Sequence, residues 1–234
     1  MKKITYSSYE KMSASAADII IKAVKEKPGL VLGLPTGSTP IGMYGALAKA
    51  YSAGAVDFSR VKTFNLDEYA GLSPEHPQSY RYFMNKHLYS RVNLKPQNAH
   101  MPDGAAKDLE ASAKAYDALI EKCGGVDLFF VGIGQNGHIA FNEPAVSMPA
   151  FTHVVELTES TIIANSRLFN DISEVPKRAV TCGLATILRA KKIVLLSNGG
   201  SKSDALAKME SGILTLNCPA SLLNLHRDVT VLVS

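Results

Sequence analysis

A three-layer αβα sandwich on a mainly parallel, Rossmann-like sheet is the fold class this sequence predicts, as a single domain over residues 1–234. Two observations carry that expectation. Short β-branched and aromatic apolar runs alternate with stretches of helical apolar spacing, the order that right-handed β-α-β crossovers require. Four of those runs lead directly into polar or glycine-rich loops, and ligands of open parallel sheets bind outside the carboxyl ends of the strands. Length alone would allow two small domains, but no long linker, internal repeat or low-complexity tract divides the chain.

The elements follow in order. Residues 7 to 27 place apolar side chains at Met12, Ala16, Ile19, Ile20, Ala23 and Val24, which is helical spacing, and Pro28-Gly29 ends the helix. Leu30-Val31-Leu32-Gly33-Leu34 is a buried strand. A helix from about 40 to 53 and a strand from 61 to 66 come next, then helical stretches near 79 to 90 and 105 to 123. Val126-Asp127-Leu128-Phe129-Phe130-Val131 is an apolar run of the kind found in parallel sheets covered on both faces. Another strand lies near Thr152, followed by a helix from 158 to 169 and a second helical stretch ending near Ala190. The strand 192 to 197, the helix 201 to 209 and the strand 229 to 233 complete the series.

Composition narrows the function classes. Three cysteines, Cys123, Cys182 and Cys218, are too few and too scattered for a disulfide framework or a C-x-x-C metal knuckle, and their odd number fits a reducing compartment. The first residues lack the apolar core of a signal peptide, and no run approaches the roughly 18 apolar residues that span a bilayer. A cytoplasmic protein without membrane contact is the expectation. The formal net charge of +4 is spread over dispersed basic residues, with no stripe of the kind that binds nucleic acid. It suits a small anionic substrate and an ordinary solvated surface equally.

The polar loops carry the chemistry. In GIGQNGHIAFNEP, residues 132 to 144, the first six letters satisfy the dinucleotide pattern G-x-G-x-x-G after a strand. That fingerprint needs a helix to begin at its third glycine, whereas Asn142, Pro144 and Pro149 interrupt helical hydrogen bonding here. A carboxylate does follow at about the right distance, Glu156. The better reading is a glycine-lined loop that presents His138 and Glu143, and no organic cofactor is expected. Thr36-Gly37-Ser38-Thr39 lies between a strand and a helix with Pro40 near its start, so its N–H groups and hydroxyls can receive an anion; an ordinary Ser/Thr cap is the alternative. Gly199-Gly200-Ser201-Lys202 repeats the arrangement and puts a lysine in a first helical turn, against the dipole, where an anion would compensate it. Neither loop is a P-loop.

Asp67-Glu68 follows the strand 61 to 66, and adjacent side chains on extended backbone point opposite ways, so one of the two faces the pocket. With His138 and Glu143, Asp67 makes a set suited to proton transfer on a sugar; a structural carboxylate capping a turn is the plainer reading. Glu143 would orient the imidazole. A metal site is not expected, because three convergent ligands and the H-E-x-x-H spacing are both missing.

LGLPTGSTP, NLDEYAGL, GIGQNGHIAFNEP, ANSR and SKSDAL resemble, in order and across nearly the whole chain, the glucosamine-6-phosphate deaminase family. GHIAFNEP and NLDEY discriminate it from the related 6-phosphogluconolactonases. The resemblance implies conversion of glucosamine 6-phosphate into fructose 6-phosphate and ammonia without metal or cofactor. It implies that Asp67 moves the proton from carbon 2 to carbon 1, and that His138 opens the ring, assisted by Glu143 and the side chain at 136. It places the phosphate among Thr36, Gly37, Ser38, Thr39, Arg167 and Lys202, with Arg167 supplied by the ANSR match alone. Many relatives carry aspartate where this chain has Asn136, which removes one carboxylate from the relay. Larger, hexameric, allosterically activated members extend beyond the last strand and carry basic activator ligands where this sequence has His153 and Val155. A monomer without activation by N-acetylglucosamine 6-phosphate is the expectation. A phosphosugar lactonase or isomerase, or a sugar-phosphate-sensing effector domain, are the competing readings.

Overall fold

The computed structural model describes residues 1–167 and 169–234, and the side chains of all of these except residues 160 and 164. In chain order it runs β1 (Lys2–Thr5), α1 (Tyr9–Glu26), β2 (Val31–Leu34), α2 (Ile41–Ser52), β3 (Lys62–Asn65), β4 (Asp67–Tyr69), α3 (Tyr80–His87) and β5 (Ala99–His100). It continues with α4 (Leu109–Lys122), β6 (Leu128–Gly132), β7 (His153–Glu156), α5 (Glu159–Ser166), β8 (Arg178–Thr181), α6 (Leu184–Leu188), β9 (Lys192–Ser197), α7 (Ser203–Glu210) and β10 (Val229–Val233).

Seven strands form one sheet in the order β1-β10-β9-β6-β2-β3-β5, and every pairing in it is parallel. Alternation along the strands divides the core. Leu32, Leu34, Leu128, Phe130, Val194 and Leu196 face α1, α2 and α3, whereas Val31, Phe129, Val131, Ile193 and Leu195 face α4, α6 and α7. Both faces are therefore apolar, which is why these strands read as continuous hydrophobic runs. The expected three-layer α/β class is what the chain forms. From β2 the chain moves outward through β3 to β5, then returns to place β6 on the other side of β2. That reversal is a topological switch point, and it opens a crevice between the ends of β2 and β6.

The structure departs from the sequence expectation chiefly beside the main sheet and at its edges. Beside the main sheet stands a three-stranded antiparallel sheet, β4-β8-β7. The strand expected near Thr152 belongs to it, not to the parallel sheet. Residues 178 to 181, for which no strand was expected, are β8, and the helical stretch that ends near Ala190 is the short α6. The helix expected over 158 to 169 is α5, with Thr158 as its N-cap accepting from the N–H of Thr161; residue 168 lies outside the described residues. The main sheet also gains β1, whose Ile4 sits beside Leu232 on the open edge of β10. Lys-Lys-Ile-Thr has little strand signal of its own, so that pairing is a tertiary decision.

Candidate active site

At the switch point lies a pocket of about 660 Å³. Its wall is built from the loop after β2 (Pro35 to Pro40), the start of β4, the loop after β6 (Gly132 to Glu143), α5 and Lys202. Residues from 35 to 202 thus converge on one rim, as four loops at the ends of parallel strands should.

The anion end is the loop before α2. Gly37 adopts φ +94°, a conformation that favours glycine, and this turns the chain so that Ser38 and Thr39 precede the helix. Pro40 is the N-cap and offers no capping side chain of its own, and the N–H of Ile41 closes the turn on the Ser38 carbonyl at 3.4 Å at the positive end of a 12-residue helix. Tyr9 of α1 braces the turn: its hydroxyl donates to the Thr39 carbonyl (3.0 Å) and accepts the N–H of Gly42 (2.8 Å). Lys202 arrives from the loop after β9, and its Nζ donates to Thr39 Oγ1 at 3.3 Å. The ammonium forms no ion pair among the described residues, and burial lowers its pKa. A partly buried cation with no counter-charge, set beside the hydroxyls of this loop at the positive end of a helix, is a site for a dianion.

Asp67 stands at the opposite wall. It is 7% exposed and accepts no hydrogen bond among the described residues. Burial first, and the neighbouring Glu68 charge second, push its carboxyl up to about 8. Its place is fixed from two sides. β4 pairs with β8, so that Asp67 lies opposite Thr181. Asn65, fully buried at the end of β3, donates through Nδ2 to the Leu34 carbonyl (2.9 Å) and accepts from the Tyr89 hydroxyl (2.6 Å). This amide ties the strand that leads to the anion loop to the strand that leads to Asp67.

A histidine-centred cluster forms the third wall. His138 Nδ1 lies 3.2 Å from Glu143 Oε2, and the same oxygen accepts from Asn136 Nδ2 at 2.6 Å. Asn136 Oδ1 in turn accepts the backbone N–H of His138 at 3.2 Å. The other carboxylate oxygen accepts from Thr161 Oγ1 of α5 at 3.1 Å. Burial opposes ionisation of Glu143, but the hydrogen bond and charge of His138, joined by the Asn136 and Thr161 donors, outweigh it and lower the pKa. With Nδ1–H given to Glu143, His138 keeps Nε2 as its acceptor. Two backbone features make room for this. A Cβ on Gly134 would lie 2.3 Å from the imidazole, so only glycine fits beneath the ring. Ala140 has φ +55°, and it is the one non-glycine residue with positive φ among the described residues. The tight Ile139–Asn142 turn demands it: the N–H of Asn142 donates to the Ile139 carbonyl at 3.1 Å, and Asn142 Nδ2 holds the Ile139 and Cys182 carbonyls at 2.9 and 2.8 Å.

Thr36, Gly37, Ser38, Thr39, Asp67, Asn136, His138, Glu143 and Lys202 therefore line one pocket. Arg167 does not: it is exposed and forms the C-cap of α5, two residues beyond the pocket-lining Asn165. On a helix two residues span about 200°, so Asn165 and Arg167 leave on different sides. Glu68 points away from Asp67, as alternation on a strand requires. Thr161, Asn165 and Tyr80 are pocket residues that the sequence reading did not single out. For the first two a signal existed, because Thr161 and Asn165 are spaced i, i+4 on one helix face, and Asn165 lies within the ANSR match itself.

A family model described as glucosamine-6-phosphate isomerases/6-phosphogluconolactonase matches residues 7–232. A glucosamine-6-phosphate deaminase of Thermoanaerobacter sp. (strain X514) is 54% identical over 233 residues, covering 100% of this chain and 92% of the relative. One of Geobacillus sp. (strain WCH70) is 49% identical over 232 residues, 99% of this chain and 92% of the relative. A solved structure described as a monomeric glucosamine-6-phosphate deaminase matches with TM-score 0.96 and 45% identity, over 100% of this chain and 97% of that one. A 6-phosphogluconolactonase from Thermotoga maritima, with TM-score 0.77 at 20% identity over 99% of both chains, shares the fold.

Proposed function

The chain belongs to the glucosamine-6-phosphate isomerase/6-phosphogluconolactonase family, and we infer from that membership and from its pocket that it is an enzyme converting glucosamine 6-phosphate into fructose 6-phosphate and ammonia. One observation carries the reading within the family: a buried carboxylate, Asp67, which has no hydrogen-bond partner among the described residues, shares a pocket with Lys202, a cation with no ion pair among them, at a helix N-terminus. Lactone hydrolysis requires no base at carbon 2; amino-sugar isomerisation does.

The assigned roles follow from the three walls. The phosphate is received by the N–H groups and hydroxyls of Thr36 to Thr39 and by Lys202, which anchors one end of the sugar. His138, held by Glu143, moves protons between ring oxygen and anomeric hydroxyl and opens the pyranose. Asp67 then takes the proton from carbon 2, giving an enolamine, and returns it to carbon 1. Water adds to the resulting imine and ammonia leaves. Anchoring makes the proton transfer effectively unimolecular. Arg167 remains a proposed phosphate ligand only if the end of α5 changes position.

We propose further that the unit acting is a single domain over residues 1–234, a cytoplasmic monomer of 25.1 kDa that needs no metal, cofactor or activator. The three thiols are free, and among the described residues no helix is long and apolar enough to cross a membrane. Ammonia release from glucosamine 6-phosphate, measured beside hydrolysis of 6-phosphogluconolactone, tests the reading: the first reaction is expected to be fast and the second not accelerated, and the reverse preference overturns it. Sigmoidal kinetics relieved by N-acetylglucosamine 6-phosphate would overturn the absence of an activator.

A further inference from the structure

Strand β4 has two faces, and the reaction described above uses only one. Glu68 looks away from the substrate pocket into a second cavity of about 270 Å³, walled by Arg81, Met101, Asp103 and Gly104. It is 5% exposed. Its Oε1 accepts the backbone N–H of Tyr69 and of Tyr80, each at 2.9 Å, and its Oε2 accepts the N–H of Arg81 at 2.8 Å. The carboxylate thus fastens the first turn of α3 to the strand that bears the base. Tyr80, the first residue of that helix, lines the substrate pocket and stacks on Phe141 at 6.2 Å.

We propose that Glu68 is a positioning residue for the reaction: it sets Asp67 and Tyr80 in one frame, and its negative charge behind the base equips Asp67 to give a proton back as well as to take one. The inference rests on the reading of Asp67 as the proton carrier. A group that must accept from carbon 2 and deliver to carbon 1 works best when its pKa lies near the working pH, and a buried like charge one residue away moves a carboxyl in that direction. The titratable groups around Asp67 are Glu68 and Tyr69 on its own strand, Tyr80 from α3, Cys182 after β8, and His138, Glu143 and Lys202 in the same pocket. Arg81 faces Glu68 from α3, and its guanidinium donates to the Ala99 carbonyl at 3.1 Å. Glu68 and Arg81 are therefore opposite charges behind the base, both outside the substrate pocket.

Their opposite signs give a test that a purely structural role cannot pass. The pH dependence of kcat/KM for ammonia release is measured in the parent, Glu68→Gln and Arg81→Gln. The acid limb is expected to move down by about one pH unit in Glu68→Gln and up in Arg81→Gln, where the counter-charge of Glu68 is lost. Ser79→Ala is the control: Ser79 Oγ accepts the N–H of Tyr82 at 3.0 Å, so its loss weakens the same helix end without changing charge, and the limb should stay in place. A limb at the parent midpoint in both charge variants overturns the proposal, as does a shift of the same sign in both. Should Glu68→Gln fail to fold, the upward shift in Arg81→Gln decides. A parent that releases no ammonia fails differently, because it removes the role given to Asp67 itself.

Discussion

Two aspartates, Asp127 leading into β6 and Asp67 following β3, stand toward opposite ends of the parallel strands and are treated in opposite ways. Asp127, immediately before β6, has a side chain 9% exposed; Oδ2 receives Lys27 Nζ at 2.6 Å and the N–H of Val31 at 2.9 Å, and Oδ1 receives Lys191 Nζ at 2.8 Å. Burial works against its charge, yet the lysines and the backbone donor prevail and hold the carboxyl below its ordinary value. Asp67, at the other end, has no donor among the described residues and is pushed up to about 8, by burial first and the Glu68 charge second. A carboxylate whose lone pairs are filled joins two strands and two lysines. One left bare is costly to ionise, and that cost is what makes it reactive.

The largest expected effect separates the two ends outright. Asp67→Asn should lower turnover roughly 10²–10⁴-fold, the usual contribution of a positioned general base. The same change should stabilise the fold at high pH. The folded pKa of Asp67, about 8, lies above the ordinary 3.8, so the folded state holds the extra proton and stability declines as pH rises through that window. The excess in Tm of Asp67→Asn over the parent should therefore grow from about pH 4 to about pH 8; a difference independent of pH breaks the comparison. At the anion end, Lys202→Met removes a charge-assisted contact worth about 1.5–3 kcal/mol, a loss of roughly 10–100-fold in kcat/KM carried mainly by KM. Saturation kinetics that show the loss in kcat alone would move Lys202 out of phosphate binding.

Smaller effects sharpen the contrast. Asp127→Asn should leave turnover unchanged while lowering stability by about 1–3 kcal/mol in urea titrations. Because the folded pKa of Asp127 is depressed, its contribution is present above 3.8 and lost as pH falls through the folded value, so parent and variant should converge below 3.8. The smallest change is Asn136→Asp. The amide donates to Glu143 at 2.6 Å, and a carboxylate there would need a proton to keep that contact. Activity should survive with a displaced pH profile; a pH series that overlays the parent's argues against a relay through residue 136.

Much of this was legible in the sequence, for physical reasons. The strands of the main sheet are buried on both faces, so β2, β6, β9 and β10 announce themselves as apolar runs, and the loops at their ends are the only places where polar motifs interrupt them. Of the antiparallel sheet only β7 was legible, as a strand near Thr152, and the pairing that makes it a sheet was not. Its strands are three or four residues long, Asp-Glu-Tyr and Arg-Ala-Val-Thr among them, and β4 finds its partner more than a hundred residues away. No local periodicity encodes such a pairing. For the same reason the site was read as a set of loops, whereas Asp67 lies on a strand held by Thr181, and Thr161 reaches Glu143 from a helix whose pocket face gave only a weak i, i+4 signal. Arg167 entered by resemblance alone, and its side of α5 is decided by helix phase, which a short motif does not convey.

The central claim concerns distance: one end of the sugar is gripped at α2 while carbon 2 is brought to Asp67. A crystal structure with an unreactive open-chain amino-alditol 6-phosphate measures it directly. The phosphate is expected among Thr36 to Thr39 and Lys202, with an Asp67 oxygen roughly 3–3.5 Å from carbon 2. A ligand whose phosphate lies elsewhere, or whose second carbon faces His138 with Asp67 turned away, would contradict the account.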